Sequence, residues 1–297
     1  MDKKVNYNTP RLSIGIPVFN GERYLGETLD SLLVQKYSDF ELIISDNAST
    51  DNTQEICSNY AAKDNRIHYF RNKINLGAAY NYNRVFNLAK GEYFKWAAHD
   101  DLYSPEFLEK CIEVLDKDNS AVLCYSRAKN IDEHGRVQAN YASIPNFNLP
   151  KSSMRFFGCL CVSHAYYPIF GVIRRKTLKK TNLIGNYPAS DTILLAKLVL
   201  LGKLHEIPDY LFFKRDCPQN SWRAYPSSHA RQAWFDPTRI NKIIFPHWRL
   251  LVEHFISILT TSLSWDEQIR CYIYLIWWIR LNWRYLAKNI ILQEPND

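Results

Sequence analysis

The chain has 297 residues, 46% hydrophobic and 23% charged, with a formal net charge of +7. That balance fits an ordinary folded chain and excludes a disordered or low-complexity polymer. The longest apolar run, Cys271–Ile279, spans nine residues, far short of the ~20 that a membrane helix needs. In chain order, Leu12–Val18 (LSIGIPV) reads as a buried strand. Leu25, Leu29, Leu32 and Leu33 then recur at helical spacing, and Phe40–Ser45 is a second strand. Asp51 and Gln54 predict a capping box for a helix through Tyr60. Ile67–Phe70 is a third strand, a helix covers Ala78–Ala89, and Glu92–Ala98 is a fourth strand. Ser104-Pro105-Glu106 combines an N-cap, a Pro at the first turn and an acid, predicting a helix to Asp116. Ala121–Tyr125 is a fifth strand.

This alternation predicts an α/β chain with a mostly parallel sheet flanked by helices. Residues 126–186 read as loop-rich. A helix is expected over Asp191–Leu201, a short strand near Tyr210–Lys214, and Trp-rich helical material from Ala230 onward. The seven cysteines are scattered, without metal-ligand spacing, which predicts a reduced, cytoplasmic chain. The opening MDKKVNYNTPRL lacks the apolar core of a secretory signal. Between Lys151 and Leu200 stand eight Lys/Arg and one acid, Asp191. This basic segment reads as a solvated surface or as one facing an anionic substrate or lipid headgroups. No basic-aromatic nucleic-acid motif is present.

In such sheets, ligands bind beyond the carboxyl ends of the strands. There is neither a GxGxxG after the first strand nor a GxxxxGK[ST] anywhere, so dinucleotide and P-loop chemistries are excluded. Acids and amides crowd the strand ends instead: Asn20, Glu22, Asp46, Asn47 and Asp51 can hydrogen-bond a base and ribose. The fourth strand ends in His99-Asp100-Asp101. Adjacent carboxylates repel, more so near a low-dielectric core. They suit Mg²⁺ or Mn²⁺, whose remaining ligands would be diphosphate oxygens and water; helix capping is the alternative reading. His99 reads as structural.

PVFNGERYLGETLDSLLVQ, ELIISDNASTDNT and NLGAAYNYNRVFNLAKGEYFKWAAHDD together resemble the nucleotide-sugar-binding half of family 2 inverting glycosyltransferases, which have a GT-A, Rossmann-like fold. The similarity covers about residues 10–135. It implies a catalytic domain over 1–229, with donor-binding 10–135 and acceptor-binding 136–229, and a C-terminal helical extension over 230–297. It implies donor contacts from Pro17, Phe19, Asn20, Glu22, Asp46, Asn75, Gly77 and Asp100, with Asp46 on the nucleobase. Asp101, with Asp100, would hold Mn²⁺ or Mg²⁺. Asn47 and Ala48 depart from the family's D-D-G, and Ala98 stands where the first metal-motif acid is usual.

By the same resemblance, the activity is metal-dependent transfer from a nucleoside-diphosphate sugar, UDP-linked by preference. The acceptor is a saccharide or lipid-linked saccharide, and the pathway is bacterial surface polysaccharide synthesis. Such a transfer needs a general base. Asp191 is the only acid between Glu133 and Glu206 and stands where the family places that base; capping its helix is the competing role. Arg215 and Arg223 are candidates for phosphate, while His164, Tyr166 and Tyr167 could line the acceptor pocket. Cys217, where relatives carry a His, is given no metal role. A nucleotidyltransferase and a catalytically silent scaffold are the alternatives. Trp277, Trp278 and Trp283 beside Arg280, Arg284 and Lys288 suit either a bilayer interface at the inner face of the plasma membrane or packing on the catalytic domain or on another subunit of a homo-oligomer.

Overall fold

The computed structural model describes residues 9–141, 144–162, 165–217, 221–240, 242 and 245–291. His164 lies outside them. The first half alternates as the sequence predicts: β1 (Leu12–Val18), α1 (Leu25–Leu33), β2 (Phe40–Asp46), α2 (Thr53–Lys63), β3 (Ile67–Arg71), α3 (Ala78–Leu88) and β4 (Tyr93–Trp96). These strands pair in parallel in the order β3-β2-β1-β4. Every residue of β1, β2 and β4 is buried, which explains why they read as continuous apolar runs rather than as alternation. The chain moves outward from β1 to β3 and then returns to the far side of β1. The crevice beyond the ends of β1 and β4 is therefore the switch point of the sheet, where ligands of such folds bind.

The second half is mixed. After β5 (Leu102–Tyr103) and α4 (Phe107–Lys117) come the long β6 (Ala121–Ile131) and β7 (Val137–Asn140). They are followed by α5 (Ser152–Cys161), a 3₁₀ turn over Tyr167–Phe170, β8 (Val172–Arg174) and α6 (Arg175–Leu178). Then come α7 (Ser190–Leu201) and β9 (Lys203–Arg215). The sheet continues from β4 through β8, β6 and β9 to β5, with β7 on β6. The β8 strand pairs antiparallel with both β4 and β6, while β6 and β9 run parallel. Thus parallel pairing holds across the first four strands, and antiparallel pairs enter where the sequence reads as loop. Short α8 (Ser221–Ala224), α9 (Ser228–Phe235), a 3₁₀ turn over Pro237–Arg239, α10 (Pro246–Leu259) and α11 (Trp265–Ile291) complete the chain.

Two helix starts differ from expectation. Ser104 does not cap α4. Instead Gln35 reaches across, accepting from Leu108 N at 3.0 Å and donating to Ser104 O at 2.7 Å. At α2, Asp51 Oδ1 accepts from Thr53 N at 3.0 Å, but Gln54 does not close a capping box; its side chain binds Arg71. Glu22 takes the reciprocal role from another loop, accepting from Asn52 N at 3.0 Å.

The basic segment is not all surface. Arg155 donates to the carbonyls of Leu149, Pro150 and Val199, Arg174 to those of Ala121, Leu115 and Asp118, and Lys197 to Ser257 O. These three cations are buried and satisfy carbonyls at the ends of helices and strands. Lys151, Lys176, Lys179 and Lys180 remain exposed.

Candidate active site

The loops after β1 and β2 are sewn together by side chains. Asn20, with a left-handed φ of 52°, donates its N–H to Ser49 Oγ (2.9 Å), and its Oδ1 accepts from Thr50 N (2.9 Å). Gly21 N donates to Thr53 Oγ1 (2.8 Å), and Glu22 N to Asp51 Oδ2 (3.0 Å). A Cβ on Gly21 would stand 2.9 Å from His99 Cδ2, so the glycine lets His99 pack over this loop. Pro17 is buried in β1 beside Ser45, while Phe19 is half-buried at the start of the loop.

Asp46 ends β2 and is fully buried. Its Oδ1 accepts from Ser49 N at 2.8 Å; Oδ2 accepts from Tyr69 Oη at 2.8 Å and faces Arg71 Nε at 3.1 Å. Arg71 is its cross-strand partner in β3, and such pairing is what a buried carboxylate requires. Tyr69 and Arg71 were missed by sequence reasoning. The available signal was the position of Arg71 at the end of a strand neighbouring Asp46.

Asn47 explains its own departure from the acidic pattern. Its amide donates to Asn75 Oδ1 (2.8 Å) and Gly77 O (3.2 Å), while its Oδ1 accepts from Asn72 Nδ2 (2.8 Å) and Leu76 N (3.0 Å). A carboxylate could make neither donation. Asn75 Oδ1 also accepts from Gly77 N at 2.9 Å, closing the loop before α3. Gly77 has φ +88°, and a Cβ there would meet Phe235 O at 2.5 Å. The α9 segment thus lies directly over this loop.

The acidic corner follows β4. Asp101 is 2% exposed, and its Oδ1 accepts from Arg215 N at 2.9 Å. Asp100 is half-buried; its carbonyl accepts from Arg215 Nε at 2.8 Å, and among the described residues its carboxylate takes no hydrogen bond. Burial, then the neighbouring Asp100, push the Asp101 carboxyl up to about 7, against the opposing charges of Lys214 and Lys95. Lys95 lies buried in β4, 3.9 Å from the centroid of the Tyr103 ring, and burial lowers its ammonium to about 7.

Arg215 is not a surface phosphate ligand. Its guanidinium is buried over the Tyr24 ring (4.4 Å), bonded to Glu27 (2.7 Å) and to the carbonyls of Asp132 (3.2 Å) and Glu133 (3.0 Å). Arg223 is exposed and paired with Asp216 at 2.9 Å. Among the described residues, no group of three or more His, Cys, Asp or Glu side chains could hold a metal alone. The donor set still fits Mg²⁺ or Mn²⁺: two hard carboxylates, one without a hydrogen bond, suit an ion that takes its other ligands from diphosphate and water.

Asp191 is the second residue of α7, half-buried, following Ala189 at φ 62°. Its Oδ1 accepts from Thr192 N at 3.0 Å, a contact within the first turn. Burial raises its pKa above the ordinary carboxylate value, with the Thr192 N–H pulling the other way. Tyr82 lies on α3, and its phenol is pushed up first by burial and then by the charges of Asp100, Asp101 and Asp191. Trp96 Nε1 donates to Tyr82 O at 3.0 Å, anchoring that helix to the end of β4. Tyr82 carried no sequence motif. Tyr167 packs on Tyr125 and Tyr141 in the core, whereas Tyr166 is exposed.

Comparison with known proteins identifies the fold and the family. An uncharacterized glycosyltransferase of Rickettsia typhi is 40% identical over 131 residues, 44% of this chain and 40% of that protein. One from Haemophilus influenzae is 27% identical over 227 residues, 70% of this chain and 90% of that protein. The match thus spans well under half of the Rickettsia relative's length. Among solved structures, S. aureus TarS 1–349 in complex with UDP-GlcNAc superposes with a TM-score of 0.67 at 17% identity, covering 96% of this chain and 76% of that one. The mannosyltransferase PcManGT from Pyrobaculum calidifontis, in complex with GDP-Man and Mn²⁺, gives 0.55 at 14% identity, covering 96% and 87%. The α/β sheet with flanking helices and a C-terminal helical part is therefore of the GT-A type. The model of the Glycosyl transferase family 2 matches residues 13–181, more than half of the sequence, and the chain belongs to that family.

Proposed function

We propose that the protein is a metal-dependent, inverting glycosyltransferase. It moves a sugar from a nucleoside-diphosphate donor, UDP-linked by preference, to a saccharide or lipid-linked saccharide in bacterial surface polysaccharide synthesis. The observation that carries this reading is the acidic corner of Asp100 and Asp101 after β4, its Asp100 carboxylate free of hydrogen bonds among the described residues, at the switch point of a sheet in which β2 ends in the paired Asp46. The nucleotide-sugar complexes of TarS and PcManGT, the latter with Mn²⁺, support the same class of donor.

In this reading Asp46, held by Tyr69 and Arg71, presents the nucleobase edge. Pro17, Phe19, Asn20 and Glu22 shape the base and ribose side, and Asn75 and Gly77 shape the opposite wall. Asp101 and Asp100 hold the divalent cation, which when bound would offset charge on the departing diphosphate. Asp191 accepts the proton of the acceptor hydroxyl. The hydroxyl oxygen bonds to C1 as the C1–diphosphate bond breaks on the opposite face, and nucleoside diphosphate leaves. Residues 1–229 form the catalytic unit, with 10–135 on the donor side and 136–229 on the acceptor side, and 230–297 form the extension.

A panel of nucleoside-diphosphate sugars incubated with the protein and Mn²⁺ tests this. Release of nucleoside diphosphate, abolished by a chelator, is the expected result. Release of pyrophosphate from a sugar phosphate and a nucleoside triphosphate would point instead to nucleotidyl transfer. No turnover of any donor would leave a scaffold.

A further inference from the structure

Helices α10 and α11 pair as an antiparallel hairpin. His247 stacks on Tyr285 with centroids 5.0 Å apart, Trp248 Nε1 donates to Leu286 O at 3.0 Å, and Phe255 packs on Tyr272 at 5.5 Å. Polar locks fix its inner side. Lys197 of α7 donates to Ser257 O (3.1 Å), Thr260 Oγ1 (2.8 Å) and Thr261 Oγ1 (2.7 Å). Glu267 of α11 caps α5, accepting from Ser153 N at 2.7 Å. Cys271, Leu275 and Trp278 are buried on that side.

The outer side is apolar where a surface helix should be polar. On α10, Trp248, Val252, Phe255 and Leu259 recur at i, i+4, i+7 and i+11, and all are exposed. On α11, Trp265, Ile269, Ile276 and Trp283 form the matching stripe, with Trp265 82% and Ile276 63% exposed. Phe255 and Tyr272 join the two stripes along the α10–α11 seam. Scattered apolar surface is normal, but two rows of exposed apolar side chains on paired helices are the kind of surface that docks.

We propose that this face docks on an anionic lipid bilayer, lying in the headgroup region with the hairpin parallel to the membrane. This goes beyond the transfer reaction and does not depend on it. Charge decides the occupant. Arg270, Arg280, Arg284 and Lys288 are exposed on α11, and after Glu267 that helix carries no acid. The hairpin's acids are otherwise engaged or distant: Glu253 is buried against Arg249 (2.7 Å), and Asp266 sits in the first turn of α11. A second copy seated here would bring two cationic rows together without acids to offset them. Anionic headgroups offset them directly. Trp rings beside guanidinium groups, as in Arg284 over Trp283 at 5.6 Å, match the amphipathic headgroup layer. No helix among the described residues is long and apolar enough to cross a membrane, so the contact is interfacial. The catalytic end is nearby: Arg249 of α10 lies over Tyr187 (4.9 Å), four residues before Asp191.

Flotation of the full chain with vesicles decides the matter, without nucleotide or metal. The protein is expected to float with equimolar phosphatidylcholine and phosphatidylglycerol, and to do so about tenfold less with phosphatidylcholine alone. Phe255→Glu and Ile276→Glu should each lower partitioning by about tenfold or more while leaving the melting temperature in place. If a variant melts early, the contrast between the two vesicle compositions for the unaltered chain still decides. Absence of vesicle binding would overturn the proposal, as would equal binding by the well-folded variants. A dimer that both variants dissociate, with no flotation by any form, would assign the face to a second copy.

Discussion

Asp191 carries the most chemistry of any single residue in this account. Replacing it with Asn should lower turnover by roughly 10²–10⁴, the usual contribution of a general base, while donor affinity measured by calorimetry stays unchanged. Because burial raises its pKa, the acid limb of the rate profile should lie above the ordinary range of an Asp near 4. Activity falls as pH drops through that limb and the base becomes protonated. Asn47 tests a different kind of role. Asn47→Asp removes two donations and adds charge beside the buried Asp46, so it should cost about 1–3 kcal/mol in urea unfolding. An unchanged midpoint would show that the loop does not depend on this amide. The acids at the strand ends were legible in the sequence because their residue types and order are distinctive. Tyr69, Arg71 and Tyr82 were not, since each matters through a contact that only strand register or helix packing creates.

Among elements, β1 to β4 were legible because buried parallel strands are written as short apolar runs between helices. The β8 strand was not. It has three residues, ends in a buried Arg174 and runs straight into α6, so no period could reveal it. The long β6 was truncated in the sequence reading because its second half alternates buried and half-buried positions through polar residues. The same blindness applied to Arg155, Arg174 and Lys197, whose positive charges were read as surface although each is buried on carbonyls. Lys197 ties α7 to the end of α10. Lys197→Met should remove the three hydrogen bonds to Ser257 O and to the Thr260 and Thr261 hydroxyls, destabilising the fold by about 1–3 kcal/mol. Hydrogen exchange should show the loss concentrated in α10. A loss spread evenly over the sheet, with α10 still protected, would contradict that role.

The whole molecule is a parallel four-stranded sheet extended by mixed strands and packed by C-terminal helices, and its response to acid belongs to that assembly. His254 is buried between Phe156 and Trp278, and burial lowers its pKa to about 3, against an unfolded value near 6.5. The unfolded chain therefore binds the proton first. Stability should be insensitive to this group above pH 6.5 and fall as pH drops from 6.5 towards 3, at up to ~1.4 kcal/mol per unit. His254→Leu should flatten that part of the curve, and an unaltered slope would mean the group is not buried in solution. The central claim, however, concerns the acidic corner beyond β4 and its neighbour Asp46. Calorimetric titration of UDP with Mn²⁺ into the unaltered chain, Asp101→Asn and Asp46→Asn tests it most directly. The account predicts saturable binding that a chelator weakens, with both substitutions losing affinity and the chelator no longer affecting Asp101→Asn. Binding that neither the chelator nor either substitution changes would contradict it.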